Sequence, residues 1–165
     1  MIWKEDERVE IVICELSAFD LIGMEGKAER GHNPAPALWE KANTRFGEVK
    51  GLALRDEDGV PVGVWGAMSD MSRQFLPWED GFSRGLYLAG VQVPTGAEPP
   101  EGWTKWTLPA FACLRVKAEG NYAAAFQAGL DELGRRGLSL AGAVQECQRP
   151  AEGGQLYLFF PFKRL

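Results

Sequence analysis

The sequence predicts an α+β fold in which two βαββ repeats join their strands into one antiparallel sheet, with the helices on one side and a central groove on the other. Two observations lead to this prediction. The segments LSAFDLIGMEGKAE (16–29) and LPAFACLRVKAEG (108–120) are similar, and their first leucines lie 92 positions apart, at Leu16 and Leu108. Each segment is followed by one helical pattern and then by two strand-like patterns, so the order of elements is repeated too.

In the first half, apolar runs predict strand structure at residues 9–14 and 19–24, with an irregularity at Ser17. Asn33 is placed to cap a helix over residues 34–46, because a proline follows it and apolar residues then recur at helical spacing. Two further strands are predicted by the segments VPVGVWGAMSD (60–70) and GLYLAGVQVP (85–94), which a long loop connects.

The second half follows the linker at residues 95–102 and has the same order. The segment WTKWTLPAFACLRVKAEG (103–120) predicts a strand. Asn121 is a suitable cap for the clearest helix of the chain, and Gly137 can end it. The apolar stripe of this helix consists of Tyr122, Phe126, Leu130 and Leu133. Two more strands are predicted by LSLAGAVQECQ and QLYLFFPF.

Composition limits the domain organisation and the partners. The 165 residues, 45% of them hydrophobic and 25% charged, predict one domain of two repeats, about 1–95 and 103–165. A net charge of −5 without a basic face argues against direct nucleic-acid binding. There is no apolar run of about 18 residues for a membrane span and no signal-peptide core in the charged amino terminus, so a cytoplasmic protein is expected. The cysteines do not form a metal-type pair, and we expect neither a metal nor a cofactor.

The alternation of side chains along the strands suggests what lines the groove. In QLYLFFPF, Leu158 and Phe160 share the face that suits the core beneath the helices, while Tyr157 and Phe159 share the other face. Tyr87 and Trp65 stand among small residues on their own strands, which leaves concave space beside their rings. Flat apolar or cationic molecules stack in such spaces. These four aromatic residues are therefore predicted to line the groove, although ordinary core packing explains each of them singly.

Several short motifs resemble the GyrI-like family of small-molecule-binding domains. In PEGWTKWTLPAFA the matching positions are Pro100, Gly102, Trp103, Trp106, Leu108, Pro109 and Ala110. The segments LYLAGVQV, ALWEKAN and YLFFPFK are similar to a strand, to the first helix and to the closing strand of the family. The resemblance implies two βαββ repeats around a groove. It also implies an effector-binding role in multidrug-responsive transcription regulation, or the sequestration of lipophilic cations, or the hydrolysis of cyclopropane-bearing compounds. No helix-turn-helix precedes the motifs, so a stand-alone member is expected.

One departure from the family concerns charge. The resemblance implies a glutamate on the closing strand, four residues before the proline, but that position is Tyr157. Glu146 on the preceding strand is the nearest substitute. The sequence leaves open whether its side chain faces the groove or the solvent.

Three functions therefore compete. The first is a sensor or sequestering module that holds an aromatic or lipophilic ligand, either cationic or neutral; its site residues are Trp39, Trp65, Tyr87, Glu146, Tyr157 and Phe159. The second is a hydrolase in which Glu146 acts as general base and Tyr157 as hydrogen-bond donor. The third is a protein-interaction domain that docks a partner through the loop RQFLPWEDGF (73–82), which exposed Phe75, Trp78 and Phe82 would favour. A regulatory role would require a separate DNA-binding protein as a partner.

Overall fold

The computed structural model describes residues 9–165, so the prediction about the charged amino terminus lies largely outside the described residues. The first half consists of β1 (Ile11–Leu16), β2 (Phe19–Ala28), α1 (Ala35–Thr44), β3 (Val64–Ser69), the short turn α2 (Glu79–Phe82) and β4 (Gly85–Val93). The second half consists of β5 (Thr104–Leu108), β6 (Phe111–Ala118), α3 (Tyr122–Arg135), β7 (Gln145–Arg149) and β8 (Gln155–Arg164). Short 3-10 segments lie at Phe46–Glu48, Lys50–Leu52 and Pro150–Glu152. No helix among the described residues is long and apolar enough to cross a membrane.

The strands form one antiparallel sheet of eight strands in the order β1-β6-β8-β7-β3-β4-β2-β5. If β1–β4 are exchanged with β5–β8, this order is reversed, so the sheet has an approximate twofold axis at the β3–β7 junction. Gly66 and Glu146 are paired with each other at that junction. The α+β fold class and the joined antiparallel sheet are confirmed.

Each half differs from the predicted βαββ order, because two strands and not one precede each helix. The break falls at the repeated motif: β1 ends at Leu16 and β2 begins at Phe19, while β5 ends at Leu108 and β6 begins at Phe111. Each leading strand then pairs with the other half, β1 with β6 and β5 with β2. The similar motifs LSAF and LPAF are thus the points at which the chain crosses between the halves.

Local capping signals explain the two long helices. The Asn121 side chain accepts a hydrogen bond from the Ala124 amide at 3.1 Å, and Gly137, with a φ of 66°, follows the end of α3. In α1 the cap position is Pro34 and not the predicted Asn33, whose side chain accepts a hydrogen bond from the Ala35 amide at 3.0 Å from one residue further upstream. This helix begins at Ala35, one residue after the predicted start.

Both helices cover the same face of the sheet, as predicted. Residues paired across neighbouring strands point to the same side, and the pairing runs from Met24 through Ala89, Gly66, Glu146 and Leu158 to Val116. Met24 and Ala89 belong to the core layer beneath α1, and Leu158 and Val116 to the layer beneath α3. The predicted orientation of Leu158 and Phe160 toward the helices agrees with this layer.

The opposite face holds three of the four aromatic residues that the sequence placed in the groove, Trp65, Tyr157 and Phe159. Trp65 is 4% exposed and packs against Phe19 and Phe159, with ring centroids 4.7 and 5.5 Å away. Phe75 of the β3–β4 connection packs edge-on against Trp106 on this face. Side chains from strands across the sheet thus bury one another without a covering helix. A third core layer fills the position expected for the groove, and a large opening beside the sheet axis lies instead on the helix side.

Candidate functional site

A cavity of about 610 Å³ opens on the helix side of the sheet, between the beginning of α1 and the beginning of α3. We call it the central cavity. Its floor is formed by side chains of β3, β4 and β7 near the approximate twofold axis, and its rim by the β3–β4 connection. Its principal lining residues are Trp39, Met68, Trp78, Tyr87, Tyr122 and Glu146. The central cavity is therefore bounded by aromatic rings around one carboxyl group.

The approximate symmetry explains why one carboxyl group lies in the middle of the floor. Gly66 pairs with Ala89 as Glu146 pairs with Leu158, so the two residues occupy corresponding positions in the two halves. A Cβ atom at Gly66 would overlap the Tyr87 hydroxyl, so only glycine leaves room for this ring. One half thus provides space at the axis, and the other half provides the acid.

Tyr87 and Trp39 form a fixed aromatic corner. The Trp39 indole Nε1 donates a hydrogen bond to the Tyr87 hydroxyl at 2.9 Å. Burial raises the pKa of Tyr87, and the nearby Glu146 charge raises it further, so the phenol stays neutral at physiological pH. The bond between α1 and β4 holds both ring faces in place before a ligand arrives.

Glu146 is the electrostatic centre of the cavity. Partial burial raises the pKa of its carboxyl group to about 7, and the nearby Tyr122 hydroxyl opposes part of this rise. No lysine or arginine in residues 9–165 is found in an ion pair with it. A carboxyl group held near half-ionisation can attract a cation or accept a proton.

The β3–β4 connection covers the cavity from the side opposite α1. The Trp78 indole donates to the Leu86 carbonyl at 3.0 Å, and Gly85 has no side chain to obstruct its ring. Phe82, with a φ of 65°, packs edge-on against Phe126 of α3 at 5.4 Å. A segment of the first half thereby closes over the second half.

The structure brings together three of the six predicted site residues. Trp39, Tyr87 and Glu146 line the central cavity. Trp65, Tyr157 and Phe159 lie on the opposite face, which corrects the prediction of one shared groove. The Tyr157 hydroxyl donates to Glu152 at 2.5 Å, so it cannot serve Glu146 as the predicted hydrogen-bond donor.

Sequence reasoning missed other residues of the cavity. Tyr122 was assigned to the apolar stripe of its helix, yet its position directly after the Asn121 cap places its hydroxyl at the mouth of the cavity, beside Glu146. The sequence assigns Trp78 to the docking loop and not to the cavity, and Met68 has no distinguishing signal. Within the described part of the chain, no group of three or more His, Cys, Asp or Glu side chains is arranged to hold a metal ion.

The loop proposed for partner docking is largely engaged within the molecule. Phe75 packs on Trp106, and Trp78 lines the cavity. Phe82 is 39% exposed, and Leu76 is 43% exposed. Only part of the expected aromatic surface is therefore accessible to a partner.

Comparisons by sequence identify no matching family model and no matching curated protein. Comparisons by structure do find similar folds. EcmrR, in a cryo-EM structure of its complex with DNA, has a TM-score of 0.66 and 11% identity over 95% of this chain. This chain spans 58% of the length of that EcmrR chain, and it spans 99% of the separate EcmrR C-terminal domain, with a TM-score of 0.62.

Two further structures extend this similarity. SAV2435 bound to tetraphenylphosphonium has a TM-score of 0.60 and 14% identity, covering 93% of this chain and 94% of that one. A putative transcription regulation protein from Staphylococcus aureus MU50 has a TM-score of 0.58 and 15% identity, covering 94% and 99%. The resemblance to a GyrI-like domain is thereby confirmed for the fold.

Proposed function

We propose that this protein binds a lipophilic aromatic molecule, preferentially a cation, in the central cavity, and that it acts as a sensor or a sequestering module in the cytoplasm. The observation that carries the proposal is the position of Glu146, a partly buried carboxyl group in a cavity lined by aromatic rings, without an ion-pair partner among the described residues. A cation that enters the cavity supplies the missing counter-charge.

The aromatic corner provides the rest of the binding energy. Trp39 and Tyr87 offer ring faces to a flat or multi-ring ligand, and aromatic rings attract cations through their negative faces. The Trp39–Tyr87 hydrogen bond orders the corner in advance, so that less entropy is lost when the ligand binds.

Similar structures support the proposal at the level of chemistry. SAV2435, which has this fold, is bound to the lipophilic cation tetraphenylphosphonium, and EcmrR is found on DNA. By analogy with EcmrR, a regulatory role for this chain would require a DNA-binding element, which we propose is provided by a separate regulator protein. Sequestration requires only the cavity.

Binding is tested by calorimetric titration with methyltriphenylphosphonium. We expect saturable 1:1 binding that Trp39→Ala weakens by about tenfold or more, because a ring face and its buried area are lost. Phe75→Ala is the control, since it removes an aromatic ring from the opposite face of the sheet. Absence of saturable binding by the wild type, or an equal loss in both variants, would contradict the proposal.

Hydrolysis is the second candidate, and the position of Glu146 beside Tyr122 favours it. A carboxylate with a pKa of about 7 can take a proton from water as the water attacks a strained ring, while a tyrosine hydroxyl donates to the leaving oxygen. Tyr122 replaces Tyr157 in this role, because Tyr157 lies on the opposite face.

Styrene oxide separates the two candidates, since adding water to its epoxide ring yields a diol that chromatography quantifies. We expect the epoxide ring to open at the same rate with the wild type as in buffer alone, because a binding module does not accelerate the reaction. Diol formation above that rate, lost in Glu146→Gln and kept in Glu152→Gln, would instead favour the hydrolase.

A further inference from the structure

Two smaller apolar cavities flank the central cavity, one beneath each helix. The α1-side cavity has a volume of about 230 Å³ and is lined mainly by Trp39, Ala42, Phe46, Val64, Ala89 and Trp103. The α3-side cavity has a volume of about 220 Å³ and is lined by Met68, Trp78, Phe82, Tyr122, Phe126 and Val144. An apolar cavity of about 150 Å³ is enough to bind benzene, so each side cavity has room for an aromatic ring.

Both side cavities adjoin the central cavity through shared walls. Trp39 lines the central and the α1-side cavity. Trp78, Phe82 and Tyr122 line the central and the α3-side cavity. A molecule centred at Glu146 therefore lies next to both side cavities, separated from the α1-side cavity by Trp39 and from the α3-side cavity by Met68 and aromatic side chains.

The approximate twofold axis relates the two side cavities. The α1-side cavity contains Val64 in its floor, two positions before Gly66. The α3-side cavity contains Val144 in its floor, two positions before Glu146. Because Gly66 and Glu146 pair at the axis, the two valines occupy corresponding positions in the two halves. On β3, Val64 lies by the α1-side cavity and Met68 by the α3-side cavity. Four residues along a strand span about 13 Å, and Gly66, the partner of Glu146, is midway between them.

We infer that the ligand has two uncharged apolar arms, aromatic or branched aliphatic, which extend in opposite directions from a central positive or hydrogen-bond-donating group and fill the two side cavities. The inference rests on the proposed function, because it specifies the ligand of the same site. It adds that Val64, Val144 and Ala42 set the size of the arms. The side cavities contribute affinity through burial of apolar area, and Glu146 contributes selection for the centre.

Two cations that differ in their number of rings test this inference. Tetraphenylphosphonium has four phenyl arms, and phenyltrimethylammonium has one. Val64→Phe fills the α1-side cavity from the sheet, Val144→Phe fills the α3-side cavity, and Ala42→Leu fills the α1-side cavity from the helix. Ala123→Leu, at an exposed position of α3, is the matched control for Ala42→Leu. Thermal unfolding checks each variant, and Ala42→Leu replaces Val64→Phe if the latter does not fold.

We expect each filling variant to weaken tetraphenylphosphonium binding by about tenfold or more, because one buried ring is excluded. Phenyltrimethylammonium should bind each single variant as it binds the wild type, since one side cavity stays open for its ring, and the double variant V64F/V144F should bind it more weakly. If the single variants leave the affinity for both probes unchanged, or lower both affinities equally, the inference is overturned. Binding of the probes by the wild type would still support the proposed function in that case. If the wild type binds neither probe, the proposed function fails first, and the inference fails with it.

Discussion

Phe160→Ala is expected to lower the free energy of unfolding by about 3–5 kcal/mol, the usual cost of truncating a fully buried phenylalanine. The Phe160 side chain is 0% exposed and lies beneath α3, with its ring centroid 5.6 Å from that of Phe126. It also occupies the space that the missing side chain of Gly129 leaves free. The substitution therefore opens a cavity between α3 and β8 that neither the helix backbone nor the sheet can readily close.

Urea unfolding followed by circular dichroism measures this loss. Phe162→Ala is the matched control, because Phe162 lies on the same face of β8 and is only partly buried. We expect a clearly smaller effect there, in proportion to the smaller buried area. Equal losses in the two variants, or a loss below about 1 kcal/mol for Phe160→Ala, would show that α3 does not pack on the sheet as described.

Glu146→Gln is expected to abolish a preference for cations. Methyltriphenylphosphonium and triphenylphosphine oxide have the same three rings but differ in charge. At pH 8 the wild type should bind the cation about 10–100-fold more tightly, because interactions with a charged group contribute roughly 1.5–3 kcal/mol. Glutamine keeps the shape and the hydrogen-bonding capacity of the side chain without its charge, so the variant should bind the two probes with similar affinity.

The preference should also depend on pH. The pKa of Glu146 in the empty cavity is about 7, so the carboxylate form, which attracts the cation, increases as the pH rises through this value. Between pH 6 and pH 8 the affinity for methyltriphenylphosphonium should rise by about tenfold, following the ionised fraction. The affinity for triphenylphosphine oxide should not rise with it.

Glu152→Gln is the control for this experiment. Hydrogen bonds from Tyr157 and Arg149 lower the pKa of Glu152, so its charge is constant over the same range. This variant should retain the cation preference and its pH dependence. A cation preference that persists in Glu146→Gln would locate the selecting charge elsewhere and contradict the proposed role of Glu146.

Features that depend on neighbouring residues along the chain could be predicted from the sequence alone. Asn121 and Gly137 mark the ends of α3, because cap signals act within one helical turn. Alternation along β8 separated Leu158 and Phe160, which face the helices, from Tyr157 and Phe159, since successive side chains on a strand point to opposite faces. The repeated motif and the repeated order of elements indicated the α+β fold with one joined sheet.

Which faces of different strands lie together depends on long-range pairing and could not be predicted from the sequence. Alternation defines the two faces of one strand, but the register between strands decides how they combine, and a shift of one residue exchanges them. The observed register puts Tyr87 and Glu146 on the helix side and Trp65 and Tyr157 on the other. The crossing of β1 and β5 to the opposite halves likewise depends on contacts between residues about 80 to 105 positions apart. Such long-range pairing leaves no local pattern, so the side of the sheet that holds the cavity could not be predicted from the sequence.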